Sequence, residues 1–141
     1  MLTTGARSRA RFNSQYLDRP ELAGRNRVVV DINPRDAETR DIHGGEIVAV
    51  RTSSGQMLLE AHVTDNICEG TVHVPYGGGG RRQIGLLPQA NVNSIIPPES
   101  KDPISGYPVF KAVMCEVLPL EEKQSDRVME DSGTTLSCPA V

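Results

Sequence analysis

The chain holds 141 residues and 15.3 kDa, room for one domain of ordinary size. Fifteen basic against 18 acidic residues leave a net charge of −3, which excludes a generally polybasic nucleic-acid binder but allows a local basic site. With no Trp, two Phe and three Tyr, a core has to be built from Val, Ile, Leu and Ala, and 13 Gly with 10 Pro favour short strands and turns over a helical bundle.

Six arginines (Arg7, Arg9, Arg11, Arg19, Arg25, Arg27) and only two acids, Asp18 and Glu21, occupy the first 27 residues. In an extended segment Arg7, Arg9 and Arg11 project from one face, and the guanidinium fork matches phosphate oxygens. The plainer reading is a solvated edge, or a general preference for arginine, since the chain uses 12 Arg and three Lys throughout. Residues 28–33 form a β-branched run that predicts a strand. Asn33-Pro34 then reads as an N-cap followed by a first-turn proline, with Asp36 and Glu38 favourable in the turn they open. Gly44-Gly45 is expected to end this helical turn through a left-handed exit.

A hairpin follows, 46–52 out and 56–64 back around Ser53-Ser54-Gly55. In its second arm Met57, Leu59, Ala61 and Val63 face one way and Leu58, Glu60 and His62 the other. Residues 71–76 predict another strand. From Gly77 to Gly106 the chain is rich in Gly, Pro and Asn, too long for an ordinary connector. A strand over 108–118 is expected to close the sheet, and residues 121–141 read as a disordered acidic tail. The resulting architecture is mainly β, a small closed or nearly closed barrel with one or two short helices.

Few motifs carry chemistry by themselves. Gly77–Gly80 followed by Arg81-Arg82 exposes backbone N–H groups beside two charges, but no Gly-Lys-Ser/Thr follows it, and a flexible loop is the plainer reading. Asp131-Ser132-Gly133 matches an aspartic-protease triplet without a hydrophobic strand to hold it. Cys68, Cys115 and Cys138 form no C-x-x-C, and His43, His62 and His73 have no metal-ligand spacing. No catalytic or metal-ligating constellation is expected. The opening residues lack a signal-peptide core, and no stretch approaches the ~18 apolar residues of a membrane span, so a soluble cytoplasmic protein is expected.

Six segments taken in order resemble the molybdopterin-dinucleotide-binding domain of the DMSO reductase/formate dehydrogenase superfamily. They are Thr3-Thr4-Gly5-Ala6-Arg7, Phe12-Asn13-Ser14-Gln15, residues 33–37 running on to Gly44–Val48, Glu69–Val72, Asn91-Val92-Asn93 and Asp102–Lys111. The same domain occurs as a free-standing small subunit, as in formylmethanofuran dehydrogenase. The resemblance covers residues 2–118 and implies a double-psi β-barrel over 1–120, followed by the tail at 121–141. It implies that Thr4, Gly5 and Arg7 contact the phosphates of a molybdopterin guanine dinucleotide, with Ser14 and Gln15 helping at that end. Asn91, Asn93 and Lys111 are implied to line the side facing the pterin. Ala6 interrupts the family's Thr-Gly-Arg opening, and four glycines stand where many relatives carry bulky aromatics.

The implied cofactor is the bis form carrying Mo or W, shared with a large Fe–S-containing catalytic subunit that supplies the metal ligand. On this reading the chain is inert alone, a cofactor-binding part of a formate dehydrogenase- or formylmethanofuran dehydrogenase-type oxidoreductase, with no nucleic-acid partner and no transmembrane segment. A pyruvoyl-type aspartate decarboxylase shares the barrel but needs a Gly-Ser bond, and the chain has none. The remaining alternative is a double-psi barrel that recognises a protein and binds no cofactor.

Overall fold

The computed structural model describes residues 1–5, 21, 28–76 and 91–120. Arg7, Ser14, Gln15, the rest of the arginine run, the Gly77–Arg82 loop and the 121–141 tail therefore lie outside the described residues.

Among the described residues, seven strands form a single sheet: β1 (Leu2–Thr4), β2 (Val29–Ile32), β3 (Ile47–Thr52), β4 (Gly55–Val63), β5 (Val72–Val74), β6 (Lys111–Val113) and β7 (Glu116–Pro119). Their order across the sheet is β6-β1-β5-β2-β4-β3-β7. The pairs β1/β5 and β2/β4 are parallel and the others antiparallel. The two edge strands, β6 and β7, are consecutive in the chain and separated only by Met114 and Cys115. Laid flat, the sheet would hold its edges about 29 Å apart, six spacings of ~4.8 Å. Three Cα steps reach at most about 11 Å. The sheet must therefore curl until its edges approach, which makes it a barrel.

This geometry corrects one expectation. Residues 108–118 do not run as one strand; they supply both edges of the sheet, with the break at Met114-Cys115. The physical reason lies just upstream, where Ala112 adopts φ 62° as the extra residue of a β-bulge opposite Leu2 and Thr3. A bulge turns the strand and ends regular pairing, which an alternating apolar pattern does not reveal. The 77–106 segment is also not wholly loop, since Val92–Ile95 forms a 3-10 helix whose Val92 and Ile95 are buried.

Period-2 alternation sends Val30 and Ile32 of β2, Met57, Leu59 and Ala61 of β4, and Leu2, Val48, Val50, Val72 and Val74 into one core. The helical turn α1 (Pro34–Thr39) begins as expected, with the Asn33 side chain accepting from the Arg35 N–H at 3.0 Å. Its end differs: the left-handed residue is Asp41 at φ 54°, and the Ile42 N–H returns to the Ala37 carbonyl at 2.9 Å. Arg35–Glu69 and Gly70 N–H to Asp36 contacts, both 2.6 Å, fasten α1 to the turn before β5.

Candidate dinucleotide-binding site

Strands β1 and β5 are parallel and in register, Thr4 beside Val74, so the chain leaves both at the same end of the barrel. There β1 gives Gly5 and β5 gives Tyr76. The Thr4 hydroxyl, 2% exposed, donates to the Phe110 carbonyl at 2.9 Å and so ties this end to the residue before β6. The Tyr76 ring meets Phe110 edge-on with centroids 5.6 Å apart, and Phe110 meets Tyr107 at 6.0 Å. Gly5 has φ +101°, and a Cβ there would lie 2.6 Å from the Tyr76 ring. Only glycine allows the backbone to turn here with the ring pressed against it.

Lys111 is exposed at the start of β6, paired with Thr3 of β1. The segment leading to it is shaped by Asp102, whose Oδ1 accepts from the Ile104 N–H, the Ser105 N–H and the Ser105 hydroxyl at 3.1, 2.7 and 2.8 Å. These hydrogen bonds from Ser105 and Ile104 hold the Asp102 carboxyl below its ordinary range. The Asp102 N–H and carbonyl close the turn onto Tyr107 and Gly106 at 2.8 and 2.9 Å.

Of the sequence-predicted site residues, Thr4, Gly5 and Lys111 are brought together around Phe110. Asn91 caps and Asn93 belongs to the 3-10 helix, which packs on the β3–β4 hairpin through the Thr52 hydroxyl and the Ile95 carbonyl, 2.6 Å apart. The Asn91 side chain accepts from the Asn93 N–H at 3.0 Å, and Asn93 is exposed. Arg7, Ser14 and Gln15 lie outside the described residues. Sequence reasoning missed Tyr76 and Phe110 as the residues that hold Gly5 and Thr4. The only signal was their position, one at the entrance to the glycine loop and the other directly before Lys111.

A second polar cluster also escaped it. On the solvent face Asp31 of β2 lies between His62 of β4 and His73 of β5, with Nδ1–carboxylate distances of 2.8 and 3.0 Å. Half-burial raises the Asp31 carboxyl, but hydrogen bonds from His73 and His62, with their charges, outweigh it and leave the group below its ordinary value. Among the described residues no group of three or more His, Cys, Asp or Glu is placed to hold a metal ion. Burial pushes the Cys115 thiol up against the pull of the N-terminal ammonium, the opposite of what a reactive thiolate needs.

A small curled sheet with a glycine turn, an exposed lysine and an aromatic brace at one end defines a ligand-holding β-domain. Comparison with known proteins makes the class specific. Residues 1–114 match the model of the molydopterin dinucleotide binding domain, and the chain belongs to that family. It is 42% identical over 59 residues to trimethylamine-N-oxide reductase of Haemophilus influenzae, covering 42% of this chain and 7% of that protein. It is 28% identical over 96 residues to a protein of Staphylococcus aureus (strain USA300) named as a formate dehydrogenase, covering 64% of this chain and 9% of the relative. Acetylene hydratase from Pelobacter acetylenicus shares the fold at a TM-score of 0.73 and 22% identity, over 84% of this chain and 18% of that one. The chain thus spans less than a tenth of the length of these two curated relatives.

The residues present fit a dinucleotide of the molybdopterin type. An anionic diphosphate calls for a backbone stretch that carries no side chain, which the Gly5 turn provides, and the edge of a fused heterocycle calls for a cation and amide donors and acceptors such as Lys111, Asn91 and Asn93.

Proposed function

We propose that the chain holds a molybdopterin guanine dinucleotide, bis form with Mo or W, for a separate large Fe–S-containing catalytic chain of a formate dehydrogenase- or formylmethanofuran dehydrogenase-type oxidoreductase. One observation carries the reading: three segments distant in sequence, Thr4-Gly5, Tyr76 and Phe110-Lys111, meet at one end of the barrel, and all three lie within the span matched to the dinucleotide-binding family. The two parallel strand pairs support a double-psi barrel as the scaffold. Cytoplasmic placement belongs to the same proposal.

When bound, the cofactor supplies the redox chemistry at its metal, and the protein's part is to bind, orient and tune. Lys111 sets a positive charge beside Thr3, where oxygens on the pterin side of the cofactor can take it up. Gly5 keeps its turn free of a side chain, and Thr4 fixes that turn to Phe110. Asn91 and Asn93 offer amide groups from a 3-10 helix whose own core contacts keep it in place. Arg7, Ser14 and Gln15 are proposed to complete the phosphate end.

The test is cofactor retention by the assembled complex. Lys111→Ala removes a charge-assisted hydrogen bond of roughly 1.5–3 kcal/mol, so metal and GMP content after dilution and washing is expected to fall, with affinity about ten- to 150-fold lower. Lys111→Arg is expected to keep most of it. A complex of wild-type chain and catalytic partner that contains neither metal nor GMP would overturn the proposal and favour a protein-recognition module.

A further inference from the structure

We propose that the exposed apolar strip through Ile104, Tyr107, Val109 and Met114 is the surface on which the large catalytic chain seats. This rests on the function proposed above. These four side chains, with Met1, are the large hydrophobic residues exposed among the described residues, at 94%, 66%, 39%, 78% and 45%. Singly scattered apolar residues on a surface need no explanation, but a cluster does. Here four fall within eleven consecutive residues, 104–114, and the fifth precedes Leu2, whose pairing with Val113 sets Met1 opposite Met114.

The strip is also held in a fixed shape. Asp102 accepts three hydrogen bonds from Ile104 and Ser105, the Lys101–Pro108 bridge closes the base, and the Val109 N–H donates to the Ser100 carbonyl at 2.8 Å. A pre-shaped loop that shows Ile and Tyr to solvent loses little entropy on docking, which is how a recognition element gains affinity. Lys101 and Asp102 precede it, Lys111 interrupts it and Glu116 follows it, so charged groups border the apolar residues as at the rim of an interface.

Two observations identify the occupant. In the relatives and the structural neighbour, the matching part makes up 7%, 9% and 18% of a long chain, so the remainder of such a chain is available to cover a domain of this kind. The strip is also continuous with the candidate site, because Tyr107 packs on Phe110 and Phe110 accepts from Thr4. A body seated on Tyr107 therefore adjoins the cofactor end of the barrel and can share the cofactor with it.

The experiment uses the full chain in its source cells, with the photocrosslinking residue p-benzoylphenylalanine placed at Ile104, at Tyr107 or, as a control, at Glu38 on the exposed side of α1. Irradiation is expected to join positions 104 and 107, but not 38, to the chain that copurifies with metal and GMP. In the purified complex, Ile104→Ser, a change at a side chain 94% exposed, is expected to raise the dissociation constant of the two chains about tenfold or more, while the melting temperature of the isolated chain stays unchanged. If a complex carrying metal and GMP forms but 104 and 107 give no adduct with its large chain, or join only a second copy of this chain, the docking surface is refuted and the proposed function stands. If no such complex forms, the proposed function fails first.

Discussion

Replacing Gly5 by alanine tests the construction of the site without any cofactor. Two separate costs are expected. At φ +101° a side chain forces an L-residue into a left-handed conformation, which costs about 1–2 kcal/mol. The new Cβ would also stand 2.6 Å from Tyr76 Cε2 and 3.1 Å from Cζ and the hydroxyl oxygen, so the ring must move and give up its edge contact with Phe110. That contact contributes roughly 0.5–1.5 kcal/mol. Alanine returns about 0.4–1 kcal/mol by restricting the unfolded chain, leaving a net loss of about 1–2.5 kcal/mol. A melting temperature lower by roughly 4–10 °C is expected, measured by circular dichroism on the isolated chain. Gly45→Ala is the control, because Gly45 has φ +92° but open space around its Cβ position. It carries the backbone cost alone, about 1 kcal/mol or less after the same return. Placing Gly5→Ala in a Tyr76→Ala background removes the overlap, and its cost there is expected to shrink to that of Gly45→Ala. Equal losses for Gly5→Ala and Gly45→Ala in the wild-type background would refute the claim that Tyr76 braces the turn.

Other consequences can be checked on the same preparation. Ala112→Gly relieves the φ 62° strain at the bulge at the cost of extra chain entropy, so a stabilisation of up to about 1 kcal/mol is expected in urea unfolding. Asp31 has a folded pKa below its ordinary 3.8, so its contribution is complete above that value and is lost as pH falls through the lower one. Asp31→Asn is therefore expected to cost about 1 kcal/mol at pH 6 and to flatten the fall in stability below pH 4, whereas an unchanged acid profile would sink that assignment. We propose further that residues 121–141 are dispensable for folding: truncation after Leu120 is expected to move the melting temperature by less than about 2 °C, and a large drop would show that the tail docks.

The parts of the fold legible in the sequence were those set by local rules. The β2 run, the Asn33-Pro34 start of α1 and the facing of Met57, Leu59 and Ala61 on β4 all follow from side-chain periodicity and capping, which act within a few residues. The illegible parts depended on partners distant in sequence. Strand β1 is three residues long and exists because β5 and β6 flank it, 68 and more residues later in the chain. The Asp31–His62–His73 cluster needed the order β5-β2-β4 before its members could be seen as neighbours. Asp41 took the left-handed position that glycine was expected to fill, because an Asp tolerates it and the chain had to turn before Gly44 was reached.

The site divides along the same line. Motif resemblance picked out Thr4, Gly5 and Lys111 but not why they stand together. Their assembly follows from the strand order, since the segment containing Asp102, Tyr107 and Phe110 leads directly into β6, β6 pairs with β1, and the chain leaves after three residues to form β7 at the other edge of the sheet. That route explains two features at once. It places the Phe110 carbonyl where the buried Thr4 hydroxyl can donate to it, and it leaves Ile104 and Tyr107 outside the barrel, where its core does not cover them. A change that loosens Phe110 is therefore expected to disturb both the glycine turn and the exposed loop, whereas a change at Ile104 should affect only what the loop meets.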